Sequence, residues 1–257
     1  MNEQKTKSHT GAIIAIIASS IVIASAIVAL ALLLPKSTSG ENKDGDTSSL
    51  NKKDEPTEPI ASDDDNAGII APSSENGNIG DHVRGKRDSK VLVVEYADPQ
   101  CPGCASMMPK MDSIYEKYKD KVAFVYRHYP LAMHQNAESA AIAIEAAGQQ
   151  GYFWEMLELV FSKRSSWISL SSNTSLTNAY SKLFKEASNN KGDVDKFEKS
   201  LGDSELKTKV SFDKKKGMED ELSYTPTILV NGEEVDFTSS SNPQKVIEDA
   251  IKKALNK

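Results

Sequence analysis

Two cysteines stand in a chain of 257 residues, and they stand together as Cys101-Pro102-Gly103-Cys104. What flanks them limits the fold. Upstream, Val91-Leu92-Val93-Val94-Glu95-Tyr96 is β-branched and nearly continuous, the pattern of a central strand covered on both faces. Downstream, Met107, Met111, Ile114, Tyr115 and Tyr118 fall on one face of a helix over 105–118, which Pro109 interrupts. A strand running into CxxC at a helix start points to redox chemistry more than to architecture. Helix N-termini carry partial positive charge and unpaired amides, both of which favour thiolate over thiol. With no third cysteine, every redox step inside the chain must use this pair.

The rest of the domain reads as α/β. Val122 to Tyr126 is a second strand, Arg127-His128-Tyr129-Pro130 leaves it, and Asn136 stands where it could cap the next helix. A helical pattern follows from Ala137 to Ser162, punctuated by Gly148 and Gly151, with Tyr152-Phe153-Trp154 read as core packing. A polar loop around Trp167 leads into helical stretches near 177–189, 193–201 and 203–220, the last Lys-rich and read as a solvated face. Thr225-Pro226-Thr227 opens a strand, Asn231-Gly232 is a hairpin turn, and Pro243 starts a closing helix to Leu255. The order is βαβ, a helical block, then hairpin and helix, an α/β sheet with a helical insertion at about 135–220. Glu95 is the one acid in the first strand. Six positions before Cys101, it is either a buried acid with a raised pKa that shuttles protons, or a solvated residue on a twisted strand.

The N-terminal third has a different character. Residues 12–34 form an uncharged apolar run of 23, long enough to cross a bilayer as a helix. A cleaved signal peptide has a shorter apolar core, roughly 7–15 residues, and a small-residue cleavage site. Here the run ends Leu32-Leu33-Leu34-Pro35, so an uncleaved signal anchor is expected. Lys5 and Lys7 precede it, which keeps residues 1–11 in the cytoplasm and places a catalytic domain over 81–257 on the extracytoplasmic side of the cell membrane. Residues 35–80 are rich in Ser, Asp, Asn, Lys, Gly and Pro and are expected to be a disordered tether, with Ile69-Ile70 an inert apolar island. The acidity resides there: residues 35–81 hold eleven Asp/Glu against four Lys, while 82–257 are neutral overall. Nothing in that balance suggests a nucleic-acid partner.

Glu95, Cys101-Pro102-Gly103-Cys104, Pro109, Phe124-Val-Tyr-Arg-His-Tyr-Pro130, the run from His134 to Phe161 and Tyr224-Thr-Pro-Thr-Ile-Leu-Val-Asn-Gly232 together resemble a thioredoxin fold with an inserted helical subdomain. More narrowly, they resemble DsbA-type extracytoplasmic thiol oxidoreductases, in the branch with Gram-positive homologues. The resemblance implies that Cys101 is the exposed nucleophile and Cys104 the buried resolving thiol. It implies that Pro226 is cis beside the disulfide and that Thr225 pairs through its backbone with an extended substrate. Pro102 and Gly103 would complete the substrate contact, and Glu95 would be the buried acid of the fold. The chain departs from the family at Gly103, where oxidases carry a thiolate-stabilising histidine, and at Tyr224, which replaces the usual glycine.

The implied activity is disulfide introduction into secreted or surface proteins, with no cofactor beyond the Cys101–Cys104 disulfide and with a membrane partner for reoxidation. Reductase or isomerase chemistry on the same fold is the alternative. Two remoter readings are a metal site built from Cys101, Cys104, His128 and His134, and a binding module with an inert disulfide. No metal is expected.

Overall fold

The structure, a computed structural model, describes residues 68–257. Among these residues no helix is long and apolar enough to cross a membrane; the anchor expected over 12–34 and the tether as far as residue 67 lie outside them. The strands β1 (Val83–Gly85), β2 (Leu92–Ala97), β3 (Ala123–His128), β4 (Thr227–Val230) and β5 (Glu233–Glu234) form one sheet in the order β1-β3-β2-β4-β5. β2 is central, parallel to β3 and antiparallel to β4, and every residue of β2, β3 and β4 is buried. That burial explains why these strands read as continuous apolar runs without alternation.

The helices are α1 (Pro102–Tyr118), α2 (Ala137–Gly148), α3 (Phe153–Ser162), α4 (Asn173–Ala187), α5 (Val194–Ser200), α6 (Ser204–Glu219) and α7 (Pro243–Leu255). On one face of the sheet, Val91, Val93, Phe124, Ile228 and Val230 pack against Met107, Met111 and Ile114 of α1 and Ile247 and Ile251 of α7. On the other face α6 crosses the sheet, close enough at Gly217 that a Cβ there would lie 2.6 Å from the Tyr129 ring. Helices α2 to α6 are the expected insertion, packed around Met156, Leu157, Trp167, Phe184 and Phe197. The hairpin expected at Asn231-Gly232 turns with both residues at positive φ, 50° and 80°. Positive φ at both central residues is what a tight two-residue hairpin turn requires, and Asn and Gly reach it at least cost.

Four expectations from the sequence need correction. The domain begins earlier than Gly80: Ile69 packs beneath the sheet, the Ile70 N–H donates to Asp81 at 2.8 Å, and Asn76 is fully buried after a 3₁₀ turn at Ser74–Asn76. The polar loop around Trp167 is shorter than expected, since a 3₁₀ turn at Arg164–Ser166 and the start of α4 at Asn173 take up its ends, and the buried Trp167 indole donates to the Val160 carbonyl at 2.9 Å. Asn136 stands at the start of α2 but its side chain does not cap it; the amide reaches back to the carbonyls of Trp167, Ile168 and Leu170. The lysine run of α6 is not wholly solvated: Lys209 is buried, 2.7 Å from Asp213 and 3.5 Å from Asp81. One strand, β1, lacked any sequence signal; it adds three residues to the edge of β3.

Candidate active site

The end of β2 delivers the chain to Cys101, which caps α1 with extended backbone, and Pro102 occupies the first helical position. Proline fits there because its missing N–H would have had no partner in the first turn. Cys104 follows one turn into the helix and is fully buried, whereas Cys101 retains 8% exposure. Both are free thiols. The Cys101 thiol points at the Thr225 carbonyl oxygen, 3.5 Å away, across the Thr225–Pro226 peptide bond, which is cis. Gly103 faces the same wall: a Cβ placed on it would lie 3.4 Å from Pro226 Cδ and 3.5 Å from Cys101 Sγ. Pro102, Gly103, Thr225 and Pro226 therefore surround Cys101 from two segments 124 residues apart.

The two sulfurs are electrostatically unequal. The Cys104 thiol donates to the Cys101 sulfur, and the backbone amides of Cys104 and Gly103 add to it, so the Cys101 pKa falls from the ordinary 9.0 to about 5 despite burial. These amides belong to the unpaired first turn of α1. Cys104 shifts the other way: burial, reinforced by its hydrogen bond to Cys101, holds it far above the ordinary thiol range. At neutral pH Cys101 is thiolate and Cys104 is thiol, the division needed for one nucleophile and one resolving sulfur.

Glu95 lies on β2 between Tyr126 of β3 and Ile228 of β4. It is buried, and among the described residues its Oε1 has no hydrogen-bond partner. Burial raises its pKa from 4.5 to about 7, with Arg84 opposing and Asp112 assisting. Tyr126, whose hydroxyl donates to the Ala97 carbonyl at 3.3 Å, is held well above its ordinary pKa by burial. The solvated alternative for Glu95 is thereby removed. A buried carboxyl that titrates near neutrality thus stands on the strand that leads to the dithiol.

The histidines do not join the cysteines. His128 Nε2 lies 3.0 Å from Glu145 and His134 Nδ1 lies 2.7 Å from Asp98. The group with metal-ligand spacing among the described residues is instead His128, Glu145 and Asp213, all buried, with the Lys209 ammonium already on Asp213 at 2.7 Å. The remoter metal reading from Cys101, Cys104, His128 and His134 is not assembled.

Sequence reasoning missed Asp98. Its buried Oδ1 accepts from the Gln100 and Cys101 amides at 2.6 and 3.1 Å, and its Oδ2 accepts from the Leu131 amide and His134. Its own N–H reaches Cys104 Sγ at 3.4 Å. An Asp-Pro dipeptide just before the cysteines was the available signal, since Asp side chains bond amides two residues on. Arg164 was missed too. It donates from Nε to the Gln100 carbonyl at 2.9 Å and brings the helical insertion to the residue before Cys101.

Comparison with known proteins fits this arrangement. The family model described as Thioredoxin matches residues 77–252. The chain belongs to the thioredoxin family.

Within that family its structure is similar to DsbA-type oxidoreductases, as the sequence resemblance implied. BdbD from Bacillus subtilis (oxidised) superposes with a TM-score of 0.57, 23% identity, and coverage of 74% of this chain and 98% of that one. Wolbachia pipientis alpha-DsbA1 gives a TM-score of 0.53 and 24% identity, covering 68% of this chain and 91% of the other. By sequence, the Na(+)/H(+) antiporter NhaA 3 of Salinispora tropica is 37% identical over 153 residues, which are 59% of this chain but 22% of that protein. The chain thus spans about a fifth of the length of the curated relatives it matches. Family and fold place the Cys101–Cys104 dithiol in a thioredoxin-family domain.

Proposed function

We propose that the protein works as an oxidase outside the cell membrane, introducing disulfides into secreted or surface proteins while residues 12–34 anchor it. What supports the direction is the donor set on Cys101 Sγ, the Cys104 thiol with the Cys104 and Gly103 amides, which lowers its pKa to about 5. A stabilised thiolate favours the reduced form of the protein and makes Cys101 a good leaving group, so the disulfide tends to pass to its partner. A substrate thiolate attacks Cys101 Sγ, the Cys101–Cys104 bond breaks, and its electron pair goes to Cys104, which takes up a proton. A second substrate thiolate then attacks the mixed disulfide at the substrate sulfur. Cys101 leaves as thiolate, so the substrate gains a disulfide and the protein becomes a dithiol. Reduced polypeptides with paired cysteines are the substrates under this reading, and a membrane redox partner restores the disulfide. Glu95 is the proton donor and acceptor for Cys104, and Thr225 offers its backbone to the substrate chain.

The reduction potential of the full chain in glutathione buffers tests the direction. A value near about −120 mV is expected for an oxidase, and one near about −270 mV would assign the protein to reduction instead. Cys101→Ser separates exchange from a mere binding role: the variant must lose oxidation of reduced model proteins, and its retention would end the exchange reading.

A further inference from the structure

Either direction of exchange requires Cys104 to carry negative charge, as a leaving group when the disulfide opens or as the nucleophile when it closes. The sulfur is fully buried, and burial opposes that charge. A fixed donor aimed at it therefore matters, as fixed donors do wherever charge develops in a dry site. The Asp98 amide, 3.4 Å from Cys104 Sγ in a buried setting, is such a donor. We propose that Asp98 is a positioning residue for the resolving step, its carboxylate holding its own backbone N–H on Cys104 while tying the loop before Cys101 to the loop Leu131–His134. The inference rests on the exchange chemistry proposed above but not on its direction.

The side chain is built for that hold. Four donors converge on one fully buried carboxylate: the Gln100, Cys101 and Leu131 amides and His134 Nδ1, at 2.6, 3.1, 2.8 and 2.7 Å. One is the nucleophile's own amide and one the amide just before it, and two lie 33 and 36 residues on, so Asp98 is pinned from both sides. Gln100 is pinned in turn, its carbonyl by Arg164 and its side-chain oxygen by the Asn136 amide at 2.7 Å. An alanine at position 98 would keep the amide but release it.

Single-turnover oxidation of the reduced full chain by glutathione disulfide separates the steps. Cys101 thiolate attacks one glutathione sulfur, forming the mixed disulfide and expelling one glutathione thiolate. Cys104 thiolate then attacks Cys101 Sγ, forming the Cys101–Cys104 bond and expelling the second. With quenched samples read by mass, Asp98→Ala should slow formation of the mixed disulfide less than its resolution, since its carboxylate also holds the Cys101 amide. It should resolve that species about tenfold more slowly, as expected for loss of one hydrogen bond to a charged group. Equal slowing of both steps would indicate general loosening, and unchanged resolution would leave Asp98 without the role; either overturns the inference. Should Asp98→Ala fail to fold, His134→Ala removes one donor at a partly exposed site and should slow resolution alone, by about threefold. A wild-type chain that forms no mixed disulfide would instead refute the exchange reading itself.

Discussion

Replacing Glu95 by Gln changes one proton-binding group in the core and almost no volume. In the folded protein Glu95 titrates at about 7 because burial disfavours its ionised form, against 4.5 in the unfolded chain. The folded pKa lies above the unfolded one, so the contribution of this group to stability is intact below about pH 4.5 and is lost as pH rises through 7. The difference of about 2.5 between those values corresponds to roughly 3 kcal/mol at most, at about 1.4 kcal/mol for each. Full burial means that solvent screening removes little of it. Glu95→Gln should therefore match the wild type at pH 4.5 and exceed its unfolding free energy progressively toward pH 8. Urea unfolding of the disulfide form across that range measures this, since oxidation silences the Cys101 titration. Every other group is common to both proteins and cancels in the difference. A difference independent of pH would refute the reasoning, because it would mean that Glu95 is solvated or already neutralised by Arg84. The same variant should slow proton removal from Cys104, seen as slower mixed-disulfide resolution above pH 7.

Three further outcomes are expected. Cys104→Ala removes the main donor to the Cys101 sulfur, so the thiolate absorbance of Cys101 should titrate well above its starting value of about 5; an unmoved midpoint would mean that the helix amides alone set it. Gly103→His has room beside Pro226 and adds a donor near Cys101, and the reduction potential should rise by about 30 mV for each tenfold gain in equilibrium constant. That gain should hold from about pH 9 down to about 6 and shrink only as pH falls through about 5, where Cys101 becomes protonated in both proteins, and a potential that does not rise would refute it. Lys209→Met strips the ammonium from between Asp81 and Asp213 and should cost about 3–5 kcal/mol in urea unfolding, with partial recovery on adding Asp213→Leu. A loss under about 1 kcal/mol would show that the buried pair is not what holds α6 to the sheet.

Local chemistry was legible in the sequence. β-Branched runs, the proline and amides around CxxC, the Asn-Gly turn and the helical periodicities each act over a few residues, and β2, β3, β4 and α7 fell within two residues of their expected places. The resemblance added that Thr225-Pro226 meets the cysteines. The pairings that cross the fold were hidden. Lys209 reads as one more lysine in a solvated run until α6 is laid on the sheet against Asp81. Residues 68–80 read as tether because their polar composition hides Asp81, whose worth depends on Arg127, 46 residues on. Asp98 looks like a turn residue until Leu131 and His134 close on it from the other side. The sequence by itself determined where a reactive dithiol would stand and which elements would flank it, because backbone propensity and helix-end amides are local properties. Tertiary structure alone decided how unlike the two sulfurs are, because burial of Cys104 and Glu95 and convergence of donors on Asp98 require segments distant in the chain to exclude water together.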